Sequence, residues 1–129
     1  MIREFLAYSK ETENKYRWDC DCDGVKFSLY IPKWRVPEPY PRTINIKLHP
    51  LGSGIVMGRK YLKEAYEKDL ALRKRPIIAR LKRTSDHTKT VRFDPDYNSQ
   101  WWDIGSPYIP AHILPSPDIK EIYIEVEWK

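Results

Sequence analysis

The chain has 129 residues, with 23 Lys and Arg against 18 Asp and Glu, a formal charge of +5 and a pI near 9.2. Charged residues make up 32% of it and the mean hydropathy is −0.68, and no apolar run approaches the ~20 residues that span a bilayer. That length suits one domain over residues 1–129, large enough to bury a core without metals or disulfides.

The N-terminal residues MIREFLAYSKETEN do not read as a secretory signal, because Glu4 interrupts their short apolar run. Residues 2–8 fit a first strand or a short helix, with the strand preferred, and the SKETENK that follows reads as a polar loop. Cys20 and Cys22 are one residue apart. A disulfide between them would close a small strained ring, so reduced thiols and a cytoplasmic setting are expected. Residues 25–31 alternate, with Val25, Phe27, Leu29 and Ile31 on one face and Lys26, Ser28 and Tyr30 on the other. Such period-two patterning marks a strand with one buried and one wet face.

Pro37, Pro39 and Pro41 make an extended connector. Residues 43–49 alternate again, with Ile44, Ile46 and Leu48 directed inward. The loop LGSGIVMG then leads into a helix expected over residues 59–75, on an apolar stripe of Leu62, Ala65, Tyr66 and Leu70. Arg73, Lys74 and Arg75 suit its C-terminal dipole, and Pro76 ends it. Residues 77–83 and 89–93 read as a hairpin. Trp101 and Trp102 precede a second proline-rich connector, and residues 121–128 form the most regular strand, with Ile122, Ile124, Val126 and Trp128 on one face. The pattern predicts an α+β domain: a mostly antiparallel twisted sheet or partly open β-barrel of five to seven strands, with one packed α-helix.

Charge is segregated along this chain. Residues 52–92 hold 12 of the 23 Lys and Arg residues and 4 of the 18 acids, a formal +8, while the remainder sums to −3. Such a basic segment points to an anionic partner, DNA or RNA, or an acidic protein. Its candidate phosphate contacts are Arg59, Lys60, Arg73, Lys74, Arg75, Arg80, Lys82, Arg83, Lys89 and Arg92. The expected function is non-catalytic, phosphate-led nucleic-acid binding. Trp101 and Trp102 offer either a stacking surface or an interface, so a protein-interaction or inhibitor module using residues 97–108 is the alternative.

Three further motifs invite chemistry. Asp19-Cys-Asp21-Cys-Asp23-Gly24 resembles the start of a calcium loop, but Tyr30 stands where a bidentate Glu is required. The expectation is a turn that holds, at most, a weakly bound divalent cation at Asp19, Asp21 and Asp23. Zinc on the two thiols, with a distant His49, His87 or His112, is a further option. Gly52, Gly54 and Gly58 match neither phosphate-loop spacing. Pro117-Asp118 with Glu127 and Lys129 mimics a metal-dependent nuclease, yet nine strand residues set those carboxylates ~30 Å apart. Pro95-Asp96 with Glu125 or Glu127 is the better-placed pair for that third reading.

Overall fold

Short alternating segments joined by tight turns cannot bury their apolar faces alone, and here they do so by curling into a closed barrel. The computed structural model describes residues 2–50, 63–95 and 103–128. Eight strands lie among these residues: β1 (Ile2–Glu11), β2 (Lys15–Cys22), β3 (Val25–Pro32), β4 (Thr43–His49), β5 (Ile77–Asp86), β6 (Thr90–Pro95), β7 (Tyr108–Pro110) and β8 (Glu121–Trp128). Their order around the barrel is β1-β2-β3-β7-β6-β5-β8-β4, and β4 pairs back to β1. Every pairing is antiparallel.

The barrel is closed where the sequence suggests a partly open one. Closure depends on β1, which pairs with β4 from Ile2 to Ala7 and with β2 from Ala7 to Glu11. One long strand thus serves two neighbours with its two halves, and no edge is left there to solvate. The polar SKETENK stretch is mostly strand, because β1 continues to Glu11 and the turn falls at residues 12–14. The Asp-rich stretch is likewise strand β2, paired with β3 from Lys15↔Pro32 to Cys22↔Val25. Its turn is confined to Asp23 and Gly24, both at positive φ (53° and 85°).

The interior is apolar and fully enclosed. Leu6, Trp18, Phe27, Leu29, Ile31, Ile44, Ile46, Leu48, Leu81, Phe93, Ile109, Ile122, Ile124 and Val126 reach it from all eight strands. The Trp18 indole N–H would be costly to bury unpaired, and it donates to the Pro41 carbonyl at 2.9 Å. β8 lies between β4 and β5, with Ile124 opposite Leu48 on one side and Ala79 on the other.

The predicted helix over 59–75 is shorter among the described residues. An α-helix, α1 (Lys63–Lys68), gives way at Asp69 to a 3-10 turn, Leu70–Lys74. Asp69 is extended and its carboxylate accepts from the Ala71 N–H at 3.0 Å, so it caps a new turn instead of continuing the old one. The helix packs on a second 3-10 turn, Lys33–Arg35, with Tyr66 and Trp34 ring centroids 5.8 Å apart. Arg35 fastens the two together. Its buried guanidinium donates to the carbonyls of Arg73 (2.9 Å), Arg75 (2.8 Å) and Pro76 (3.3 Å), and stacks over the Tyr66 ring at 4.5 Å. Among the described residues no helix is long and apolar enough to cross a membrane.

Candidate functional site

Strand alternation sends half of each barrel strand outward, and the outer face of β2, β3, β7 and β6 carries an unusual set of side chains. Arg17 stands opposite Tyr30 in the β2–β3 register. Arg92 stands opposite Tyr108 in the β6–β7 register. One cross-strand row therefore runs Asp19–Ser28–Tyr108–Arg92 over all four strands. The two arginines are held alike. Arg17 is bonded in a fork to Asp19, two residues on (2.8 and 3.0 Å), and Arg92 to Asp94, also two residues on (3.1 and 3.3 Å). Each guanidinium also meets its tyrosine, 5.8 Å from the Tyr30 ring centroid and 5.9 Å from that of Tyr108. Arg17 donates a further bond to the Tyr30 hydroxyl at 3.3 Å.

The carboxylates that fix these arginines are themselves fixed. Burial alone would raise Asp94, but hydrogen bonds from Ser106, Thr84 and Arg92 outweigh it and hold the carboxyl below its ordinary range. Thr84 donates to it at 2.6 Å and Ser106 by a short bond. Burial opposes ionisation of Asp19 in the same way, and bonds from Arg17, Ser9 and Ser28 overcome it. Both arginines are thereby locked in orientation, which removes rotamer entropy before any ligand arrives.

Two hollows lie beside this row, with volumes of about 670 and 650 Å³. Both are lined by Glu13, Asn14, Lys15, Arg92 and Ser106, so they form one continuous groove over the β1–β2 turn. The first adds Arg17, Tyr30 and Tyr108; the second adds Lys33, Trp34 and Lys63 at the α1 end. Gly105 lines the second of them. Its N–H donates to the Tyr30 carbonyl at 2.7 Å, and a Cβ there would lie 2.6 Å from that oxygen. Lys15 is exposed and makes no ion pair among the described residues. The arrangement can hold anionic groups on cations and flat rings on aromatic faces.

The basic residues predicted from sequence are scattered by the fold. Arg92 lines the groove. Arg73 is buried, donating to the Tyr66 carbonyl at 2.9 Å, so it serves the packing of α1. Arg80 is forked to Glu121 at 2.7 and 2.8 Å. Arg83 binds Asp86 and the carbonyls of Pro117 and Ile119. Lys74, Arg75, Lys82 and Lys89 are exposed away from the groove lining. Arg59, Lys60, Trp101, Trp102 and the glycine loop lie outside the described residues, as do Asp96 and Lys129.

The calcium-loop carboxylates do not gather. Asp19 is committed to Arg17, Asp21 faces Lys26 across the ladder, and Asp23 sits in the turn, 3.5 Å from His112. Strand geometry is the reason, since a chain extended through Cys22 cannot wrap around an ion. Glu125 and Glu127 are both held by Lys47, at 3.8 and 2.8 Å. Asp118 accepts from Ser116 at 2.5 Å.

Sequence reasoning assigned no functional role to Lys15, Arg17, Lys33 or Trp34, and read Tyr30 only as part of a wet strand face and Tyr108 only within the 97–108 surface. A signal existed for Lys15 and Arg17. Residues 15–22 alternate as strictly as the strand after them, with Tyr16, Trp18, Cys20 and Cys22 on one side and Lys15, Arg17, Asp19 and Asp21 on the other. The Asp-rich turn motif masked that period. Compared with protein-family models and with curated proteins, the sequence matches none.

Proposed function

We propose that the protein is a non-catalytic nucleic-acid-binding domain that takes a single strand along the groove over β2, β3, β7 and β6. The observation that carries this reading is the pair of pre-set units, Arg17 with Tyr30 and Arg92 with Tyr108, on adjacent strands of one outer face. Proteins that bind single strands combine a cationic track for phosphates with aromatic faces on which bases stack, and are tolerant of sequence. Lys15, Lys33 and Lys63 extend the cationic track along the same groove. The row of carboxylates on β8 supports binding rather than cleavage, because Glu121, Glu125 and Glu127 are engaged by Arg80 and Lys47.

The test is a salt-resolved titration with a fluorescent single-stranded oligonucleotide. Affinity should fall linearly in log–log form, and Lys15→Ala should flatten the slope by ~0.7, the share of one phosphate on a single strand. Tyr30→Ala with Tyr108→Ala should weaken all sequences alike. Binding that ignores salt, or that survives loss of both tyrosines, would sink the reading. Polyglutamate competing as well as the oligonucleotide would transfer the groove to an acidic protein partner.

A further inference from the structure

The inner face of β2 carries a second cluster of side chains, of different chemistry. Trp18, Cys20 and Cys22 share that face, and Cys20 and Cys22 approach the end of the barrel where the β1–β2 ladder stops at Ala7↔Asp19. β1 runs on past this point with Leu6 pointing inward, so alternation turns Glu4 inward as well. The three side chains meet there. Cys20 Sγ lies 3.4 Å from Cys22 Sγ and 3.9 Å from Glu4 Oε2, and all three potential ligand atoms fall within 4.8 Å of one another. Cys22 is buried, while Cys20 and Glu4 are half-buried.

A half-buried carboxylate is costly unless a cation or strong donors face it. Among the described residues no cation pairs with Glu4, and its carboxylate faces the Cys20 thiol, a weak donor, at 3.9 Å. We propose that Glu4, Cys20 and Cys22 bind one thiophilic divalent cation of the zinc class, with water completing the coordination. The spacings suit it. Zn–S bonds of ~2.3 Å at tetrahedral angles set two sulfurs ~3.8 Å apart, and a Zn–O bond of ~2.0–2.2 Å sets oxygen ~3.5 Å from sulfur. The separations of Cys20 from Cys22 and from Glu4 lie within about half an ångström of these values, and Cys22 stands within 4.8 Å of Glu4.

The resting electrostatics of the thiols are a cost that the metal must offset. Burial, the neighbouring thiol and nearby carboxylates push the Cys20 thiol well up, and burial raises Cys22 also. A divalent cation inverts that field and draws off both protons. Each thiol gives up its S–H proton to solvent as its sulfur pair enters the metal bond, and Glu4 binds through a carboxylate oxygen. Two thiolates with one carboxylate favour a zinc-class ion over calcium or magnesium, which demand oxygen ligands.

The experiment uses the full chain, reduced, stripped with a chelator and titrated anaerobically with Co²⁺. Expected are a thiolate-to-cobalt charge-transfer band that saturates at one equivalent, release of about two protons per metal, and loss of the band when Zn²⁺ is added. Cys20→Ser should remove much of the band. Glu4→Gln should keep it but weaken affinity by at least the ~10–100-fold that loss of an outer-shell partner costs. Circular dichroism checks that each variant is folded. The wild-type titration stands apart from the variants: no charge-transfer band there overturns the proposal. An unchanged band in Cys20→Ser, or unchanged affinity in Glu4→Gln, overturns it too.

Discussion

Two outer faces of this barrel carry similar residues and use them in opposite ways. On β4, β8 and β5, Lys47 lies between Glu125 and Glu127, and Arg80 is forked to Glu121, so charges cancel across the strands. On β2, β3, β7 and β6, Arg17 and Arg92 are also paired, but with acids on their own strands. That leaves each guanidinium beside a tyrosine at the edge of a groove. Cross-strand pairing closes a surface, whereas pairing along a strand orients a cation and leaves the space over the neighbouring strand open. Net charge by itself therefore says little about where an anion binds.

Substitutions can separate the two faces, beginning with the layer beneath the closed one. Ile124→Ala removes a fully buried side chain between β4 and β5 and should cost about 2–5 kcal/mol in urea unfolding. Glu125→Gln, one residue along and on the outer side, should fall far below that. A comparable loss from both would mean that the charged face holds the barrel together as firmly as the core does.

Gly105→Ala attacks the groove through its backbone. The new Cβ meets a carbonyl oxygen, which cannot swing aside as a side-chain tip can, so a cost of ~1–3 kcal/mol and a marked loss of oligonucleotide affinity are expected. Tyr108→Ala should lower affinity by the ~1–3 kcal/mol of one stacked base. The same titration on Lys47→Ala should leave affinity unchanged. Equal losses from Tyr108→Ala and Lys47→Ala would erase the functional distinction between the faces.

Acid should loosen the groove first. The carboxyls of Asp19 and Asp94 sit below their ordinary range in the folded chain. Their contribution is therefore present above the unfolded value of ~3.9 and is lost as pH falls through the lower folded values. Melting temperature followed from neutral pH downward should drop in that acid window, and Asp94→Asn should make the drop shallower. An identical acid limb in the variant would remove Asp94 from the account. The smallest effect should come from Lys47→Ala on stability, at most ~1 kcal/mol, as for other partly exposed ion pairs.

Much of the strand framework could be read along the chain. Period-two alternation marks residues 25–31, 43–49 and 121–128 because burial on one face and water on the other impose it residue by residue. The same period was present in residues 15–22, where the spacing of three aspartates and a glycine suggests an extended turn instead. Helix length was less legible. The stripe Leu62, Ala65, Tyr66 and Leu70 fits one long helix, yet Asp69 caps a new 3-10 turn and Leu70 is 51% exposed. The basic segment was legible as composition and misleading as a surface, since Arg73 turns inward to bind a carbonyl at the end of α1.

The sequence by itself determined which residues face in and which face out on most strands, the turn at Asp23-Gly24, and the excess of positive charge. Tertiary structure alone decided strand order and closure, because these follow from which distant strands share β1 and β8. The groove arises from the same decision: β7 is three residues long and inserts between β3 and β6, bringing Tyr108 beside Ser28 and Arg92. No local pattern announces such a neighbour. Pairing partners are chosen by the burial of the whole barrel, and the outward side chains simply meet whatever that packing sets beside them.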